Sequence, residues 1–139
     1  MSEPIEHPAR AASQASMAAV AAGDRDAWLA LFADDAVVED PIGPSMFDPD
    51  GAGHRGRERI ANFYDTVIGP NRISFAIRES FACGQEVANV GTITTTLPDG
   101  SRAIVEGVYT YRVDDLGRIL ALRAFWEADA IVFEASQSV

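Results

Sequence analysis

The hydrophobic period of this chain changes for good near residue 70, and that change limits the fold more than any other feature. Before it, apolar residues recur at the spacing of a helix face: Ile60, Phe63, Tyr64, Val67 and Ile68 lie at i, i+3, i+4, i+7 and i+8. After it they alternate, through Ile73, Phe75 and Ile77 in the segment 72–80. Runs rich in β-branched residues then follow over 86–97, 101–113 and 118–127. Gly69-Pro70-Asn71 ends the helical pattern, while Leu97-Pro-Asp-Gly100 and Asp114-Asp-Leu-Gly117 read as turns between strands. Helices first and a long antiparallel meander afterwards predict an α+β domain, with helices packed on one face of a curved sheet.

Upstream, the Ala-rich stretch 11–22 has strong helix composition, Gly23 ends it, and Asp24 can cap the next helix. There Trp28, Leu31 and Phe32 share a buried face, and Asp34-Asp35 break the pattern. Residues 36–40 read as a short strand with Ala36, Val38 and Asp40 on one side, stopped by Pro41. Residues 42–56, with Pro44, Pro49 and several glycines, read as a long loop. The ending 128–139 fits either an extra strand or a frayed tail. The whole is expected to be one domain, 1–139, with a flexible N-terminus of about residues 1–8.

Composition removes several classes of function. A formal charge of −10 disfavours nucleic acid and anionic membrane surfaces, which select for basic patches. All 11 basic residues are Arg, so neither a Schiff-base lysine nor a P-loop is available. Cys83 is the single cysteine, which forbids an internal disulfide and suits a reducing cytoplasm. His7 and His54, far apart, offer no zinc spacing. No apolar run reaches the ~20 residues of a membrane span, and the first residues lack the pattern of a secretion signal. Gly51-Ala-Gly-His-Arg-Gly56 spells G-x-G-x-x-G, but a loop rather than a strand leads into it, so no dinucleotide site is expected. His54 in that loop reads either as a lid residue over the pocket mouth or as a solvated side chain, and the solvated reading is favoured.

Strand phase gathers the remaining candidates. Ala103, Val105, Gly107, Tyr109, Tyr111 and Val113 share one face, and Leu120, Leu122, Ala124 and Trp126 share another. If both face the helices, they enclose an apolar cavity whose few polar groups are Asp40 and tyrosine hydroxyls. Asp40 then either caps the turn at Pro41 or carries a raised pKa and moves protons. Tyr109 is either a hydrogen-bond donor to a ligand or a core aromatic with its hydroxyl on the backbone.

The run Ala22-Gly23-Asp24, followed by Leu31-Phe32-Ala33-Asp34-Asp35-Ala36-Val37-Val38-Glu39-Asp40-Pro41-Ile42-Gly43, resembles the steroid Δ5-3-ketosteroid isomerases of the nuclear transport factor-like, polyketide-cyclase-like superfamily. The resemblance continues through Ile60, Phe63-Tyr64 and Gly117-Arg118-Ile119 to Leu122-Arg123-Ala124, with an insertion at 44–56. It implies a cystatin-like cone in which three N-terminal helices wrap a curved mixed sheet, and a homodimer formed through the open sheet face. It also implies a small hydrophobic, steroid-like ketone as ligand, and no cofactor or metal. Asp40 falls on the family's base, which takes a proton beside the ketone and returns it two carbons further on. Phe63, Leu122 and Trp126 match pocket-wall positions, and Tyr64 matches a tyrosine that supports the family's helix tyrosine. Two positions depart from the pattern: Ser16 stands at the helix tyrosine, and Tyr109 stands at the protonated acid of the oxyanion hole. Those departures leave two rivals to an isomerase: a cyclase or epoxide hydrolase-like relative, and a steroid-binding protein without turnover.

Overall fold

The computed structural model describes residues 7–136. Helix α1 (Pro8–Ala22) begins earlier than its Ala-rich stretch, because Pro8 occupies the first turn, where a missing N–H costs nothing. His7 caps it: Nδ1 accepts from the Ala9 N–H at 3.1 Å, and Nε2–H donates to the Gly84 carbonyl at 2.9 Å. Residues 7 and 8 are therefore anchored, and the rest of the expected flexible N-terminus lies outside the described residues. Gly23, at φ 69°, ends α1 in the left-handed conformation that glycine adopts without steric cost. Asp24 accepts from the Ala27 N–H at 3.1 Å and starts α2 (Arg25–Leu29).

Strand β1 (Phe32–Glu39) starts four residues before the predicted position 36. Asp34 and Asp35 do not break it, since they point to solvent from within the extended chain. The loop that follows contains a two-residue strand, β2 (His54–Arg55), paired antiparallel to β1. Helix α3 (Arg57–Phe63) runs on into a π-helical turn (Tyr64–Ile68), closed by the Gly69 N–H on the Tyr64 carbonyl at 2.7 Å. The meander then follows as β3 (Arg72–Cys83), β4 (Glu86–Thr96), β5 (Arg102–Val113) and β6 (Ile119–Phe125). The ambiguous C-terminal segment contributes a short strand, β7 (Val132–Glu134), paired to the start of β5.

The sheet order is β2-β1-β6-β5-β4-β3, with β7 beside β5, and it does not close on itself. Its parallel pair is β1 with β6, which makes the sheet mixed. Gly91 and Gly107 face each other across β4 and β5. A Cβ at Gly91 would lie 2.3 Å from the Ala76 carbonyl oxygen, and one at Gly107 would lie 2.3 Å from that of Phe125. Only glycine lets the neighbouring strands close in here, beside the β3 irregularity at Ile77/Glu79. The sheet curves around the helices, and Trp28, Phe32, Phe63, Ile60 and Ile119 fill the space between them. Burial of each such side chain contributes about 1.5–3 kcal/mol. Among the described residues no helix is long and apolar enough to cross a membrane.

Candidate active site

Between the concave sheet and the helices lies a cavity of about 390 Å³, within the size range of small-molecule sites. Helix α1 supplies Ser16, Met17 and Val20, and the α3 region supplies Phe63, Thr66, Val67 and Ile68. The sheet supplies alternate residues, among them Ile73, Phe75, Ile93, Val105 and Leu122. The inserted loop is not an empty excursion. Asp48 Oδ2 accepts from the Gly53 N–H at 2.7 Å and holds the loop's shape, and Met46 and Phe47 join Leu97, Ile131 and Phe133 around the cavity. Met46 and Phe133 are 65% and 71% exposed, which puts this apolar rim at the solvent side.

Register places the polar groups in rows. Val38 pairs with Leu122, which in turn lies opposite Tyr111; Ala124 lies opposite Tyr109. Asp40, one residue beyond β1, falls in the Ala124–Tyr109 row, and the Ile42 N–H donates to the Ala124 carbonyl at 3.1 Å to hold it there. Two residues further along, on the same side, Trp126 Nε1–H donates to Asp40 Oδ1 at 2.6 Å. Burial pushes the Asp40 carboxyl above the usual aspartate value of 3.8, while the Trp126 bond and the nearby His54 pull it back. A carboxyl held this way, in an apolar surround, keeps its proton to higher pH than a solvated aspartate does.

A second polar group sits one row away, ~6.6 Å along the strands by their rise. Ser16 Oγ lies 3.0 Å from Tyr111 Oη and accepts from Trp28 Nε1–H at 3.0 Å. Tyr109, in the Asp40 row, turns its hydroxyl to the main chain, meeting the Gly91 carbonyl at 3.3 Å and that of Val105 at 3.4 Å. Burial pushes both phenols up, and the charge of Asp40 adds to it. Both tyrosines are therefore neutral hydroxyls at ordinary pH.

Of the residues singled out from the sequence, Asp40, Tyr109, Ser16, Phe63, Leu122 and Trp126 all line the cavity. Tyr64 does not. A helix turns about 100° per residue, so Phe63 takes the cavity and Tyr64 packs on Trp28, ring centroids 5.5 Å apart. His54 is likewise not a solvated loop residue. Its strand pairing opposite Val38 brings the ring to 4.6 Å from Phe63, and its Nε2 is buried with no partner among the described residues. The sequence pattern places Trp28 on a buried face and Tyr111 on the cavity face but gives neither a role at the site. Tyr111 shares Tyr109's strand phase, and a buried indole N–H needs an acceptor, so both signals were present. Among the described residues no three His, Cys, Asp or Glu side chains gather to hold a metal ion.

This fold, a curved sheet wrapped by helices over an apolar cavity, is shared with known proteins. Residues 13–130 match the SnoaL-like domain family, and the chain belongs to that family. A steroid Delta-isomerase from Nocardioides simplex is 33% identical over 108 residues, 78% of this chain and 80% of that protein. The crystal structure of a Δ5-3-ketosteroid isomerase from Mycobacterium sp. is 50% identical, covering 93% of this chain and all (100%) of that one, with a TM-score of 0.89. The Mycobacterium tuberculosis protein RV0760c, solved in complex with estradiol-17beta-hemisuccinate, is 42% identical over 92% of this chain and 100% of that one, with a TM-score of 0.88.

Proposed function

We propose that this protein is a ketosteroid isomerase-like enzyme that moves a proton within a steroid or similar hydrophobic ketone, without a cofactor. The observation that carries the reading is Asp40: a half-buried carboxylate, held at 2.6 Å by Trp126, facing a cavity of about 390 Å³ with mostly apolar walls. Asp40 takes the proton from the carbon between ketone and alkene, leaving a dienolate. It then returns that proton two carbons further on, so the double bond moves into conjugation. One carboxyl group acts first as base and then as acid, which a pKa raised by burial favours. Phe63, Leu122 and Trp126 hold the apolar body of the ligand. The relatives named above support this substrate class. We also place the protein in a reducing cytoplasm, in keeping with its free, exposed Cys83. A homodimer formed through the open sheet face, where Phe125 is 49% exposed, is checked by sedimentation equilibrium.

The test is conversion of 5-androstene-3,17-dione to the conjugated enone, followed by ultraviolet absorbance. Turnover is expected in the wild type and a sharp loss in Asp40→Asn. Absence of conversion above background, with saturable steroid binding intact, would sink the enzyme reading and leave a steroid-binding protein. That second reading is favoured by Ser16 and by the Tyr109 hydroxyl's attachment to the main chain.

A further inference from the structure

One of the two hydrogen bonds at Ser16 has a fixed direction. An indole N–H can only donate, so Trp28 Nε1–H occupies a lone pair of Ser16 Oγ. The serine keeps one proton to place, and Tyr111 Oη, at 3.0 Å, is its partner among the described residues. When Ser16 donates, the phenol oxygen is the receiver, and the phenol's own proton has no protein acceptor. Tyr111 lines the cavity, so that proton is available to a ligand. Tyr109 stands differently, since two main-chain carbonyls already compete for its proton. Each donor in such a series polarises the next, which strengthens the terminal one.

We infer that Trp28, Ser16 and Tyr111 form a one-way donor relay that presents the Tyr111 hydroxyl proton to a carbonyl or enolate oxygen in the cavity. The relay does with Ser16 as intermediary what a hydroxyl on α1 would do directly, and it makes the ligand oxygen it meets an acceptor. Tyr111 is the group that touches the ligand; Ser16 and Trp28 are positioning residues. The inference rests on the reading of the cavity as the site of a hydrophobic ketone. It names the side chain that recognises the ketone oxygen.

Binding rather than turnover tests it. The probes are 5α-androstan-3-one and 5α-androstan-3β-ol, which carry one oxygen each: the ketone oxygen can only accept a hydrogen bond, whereas the hydroxyl can also donate and so depends less on a protein donor. Binding is read by tryptophan fluorescence, because Trp28 and Trp126 both line the cavity. Tyr111→Phe is expected to shift the ratio of the two Kd values by about 3- to 10-fold against the ketone, the worth of one net hydrogen bond. Ser16→Ala, which removes the intermediary and keeps the phenol, is expected to give a smaller shift in the same direction. It also serves as the second variant should Tyr111→Phe fail to fold. An unchanged ratio in a folded variant of either kind overturns the relay while leaving the ligand class intact. Binding of neither steroid by the wild type overturns the ligand class, and the relay with it.

Discussion

Two indole N–H groups hold the polar parts of an otherwise apolar cavity, and the acceptor each one meets decides the chemistry beside it. Trp126 donates to the Asp40 carboxylate, and the chain of bonds stops there, because an ionised carboxylate has no proton to pass on. The result is a base with one oxygen fixed and a charge stabilised against burial. Trp28 donates to the Ser16 hydroxyl, which has a proton of its own, and in the proposed relay that proton goes to Tyr111. The result there is an acid end, a neutral donor. In the reaction proposed above, the same side chain would support opposite partners, one taking a proton from carbon and the other meeting the charge that grows on oxygen.

Removing the base should have the largest effect. Asp40→Asn keeps an acceptor for Trp126 but cannot take a proton, and its isomerisation rate is expected to fall by about 10²–10⁴-fold, the range of general acid–base catalysis. Removing the donor comes next. Tyr111→Phe is expected to lower kcat by about 10²-fold, toward the lower end for the loss of an oxyanion donor. A loss in Tyr109→Phe larger than in Tyr111→Phe would reverse the assignment of the two tyrosines and break the contrast drawn above.

A subtler test sits on Trp126. Its N–H bond lowers the Asp40 pKa against the upward push of burial. Without it, in Trp126→Phe, the carboxyl rises further and is ionised over less of the acidic range. The acid limb of the rate–pH profile is therefore expected to move to higher pH, with a greater loss of activity at pH 5 than at pH 8. An unmoved acid limb would mean that the limb does not report Asp40.

The fold was legible in the sequence wherever a long period was present. The α3 stripe, the alternation of β3 and the turn at Leu97-Pro-Asp-Gly100 each fix an element by local chemistry. Legibility failed where position depends on a partner distant in sequence. Asp34 and Asp35 look like helix breakers, yet β1 extends through them because the parallel partner β6 is already there to pair at Phe32↔Ile119. His54 looks like a loop residue until Val38 offers it a strand. The same holds within the site. Asp40 was readable because the block Val38-Glu39-Asp40-Pro41 is contiguous. The Trp28–Ser16–Tyr111 series joins three elements, with Ser16 and Tyr111 separated by 95 positions. Counting along β5 found the face that Tyr109 and Tyr111 share, and both line the cavity. No local pattern says which of two in-phase tyrosines meets α1.

The smallest expected effects concern stability, and there the two polar groups should respond with opposite sign. Ser16 is buried and satisfied, so Ser16→Ala leaves the Trp28 N–H without an acceptor and is expected to cost about 1–3 kcal/mol. Asp40 is half-buried, and desolvation of its carboxyl disfavours the charged form. Its folded pKa lies above the unfolded value, so the folded state holds the proton more tightly. Ionising it as pH rises past the unfolded value near 3.8 therefore subtracts from stability. Asp40→Asn removes that penalty and keeps an oxygen for Trp126. It is expected to melt a few degrees above the wild type at pH 7, with the difference closing as pH falls toward 4, measured by thermal circular dichroism. A wild type more stable than Asp40→Asn at pH 7 would show that the Trp126 bond outweighs desolvation, which would make Asp40 a structural anchor before it is a base.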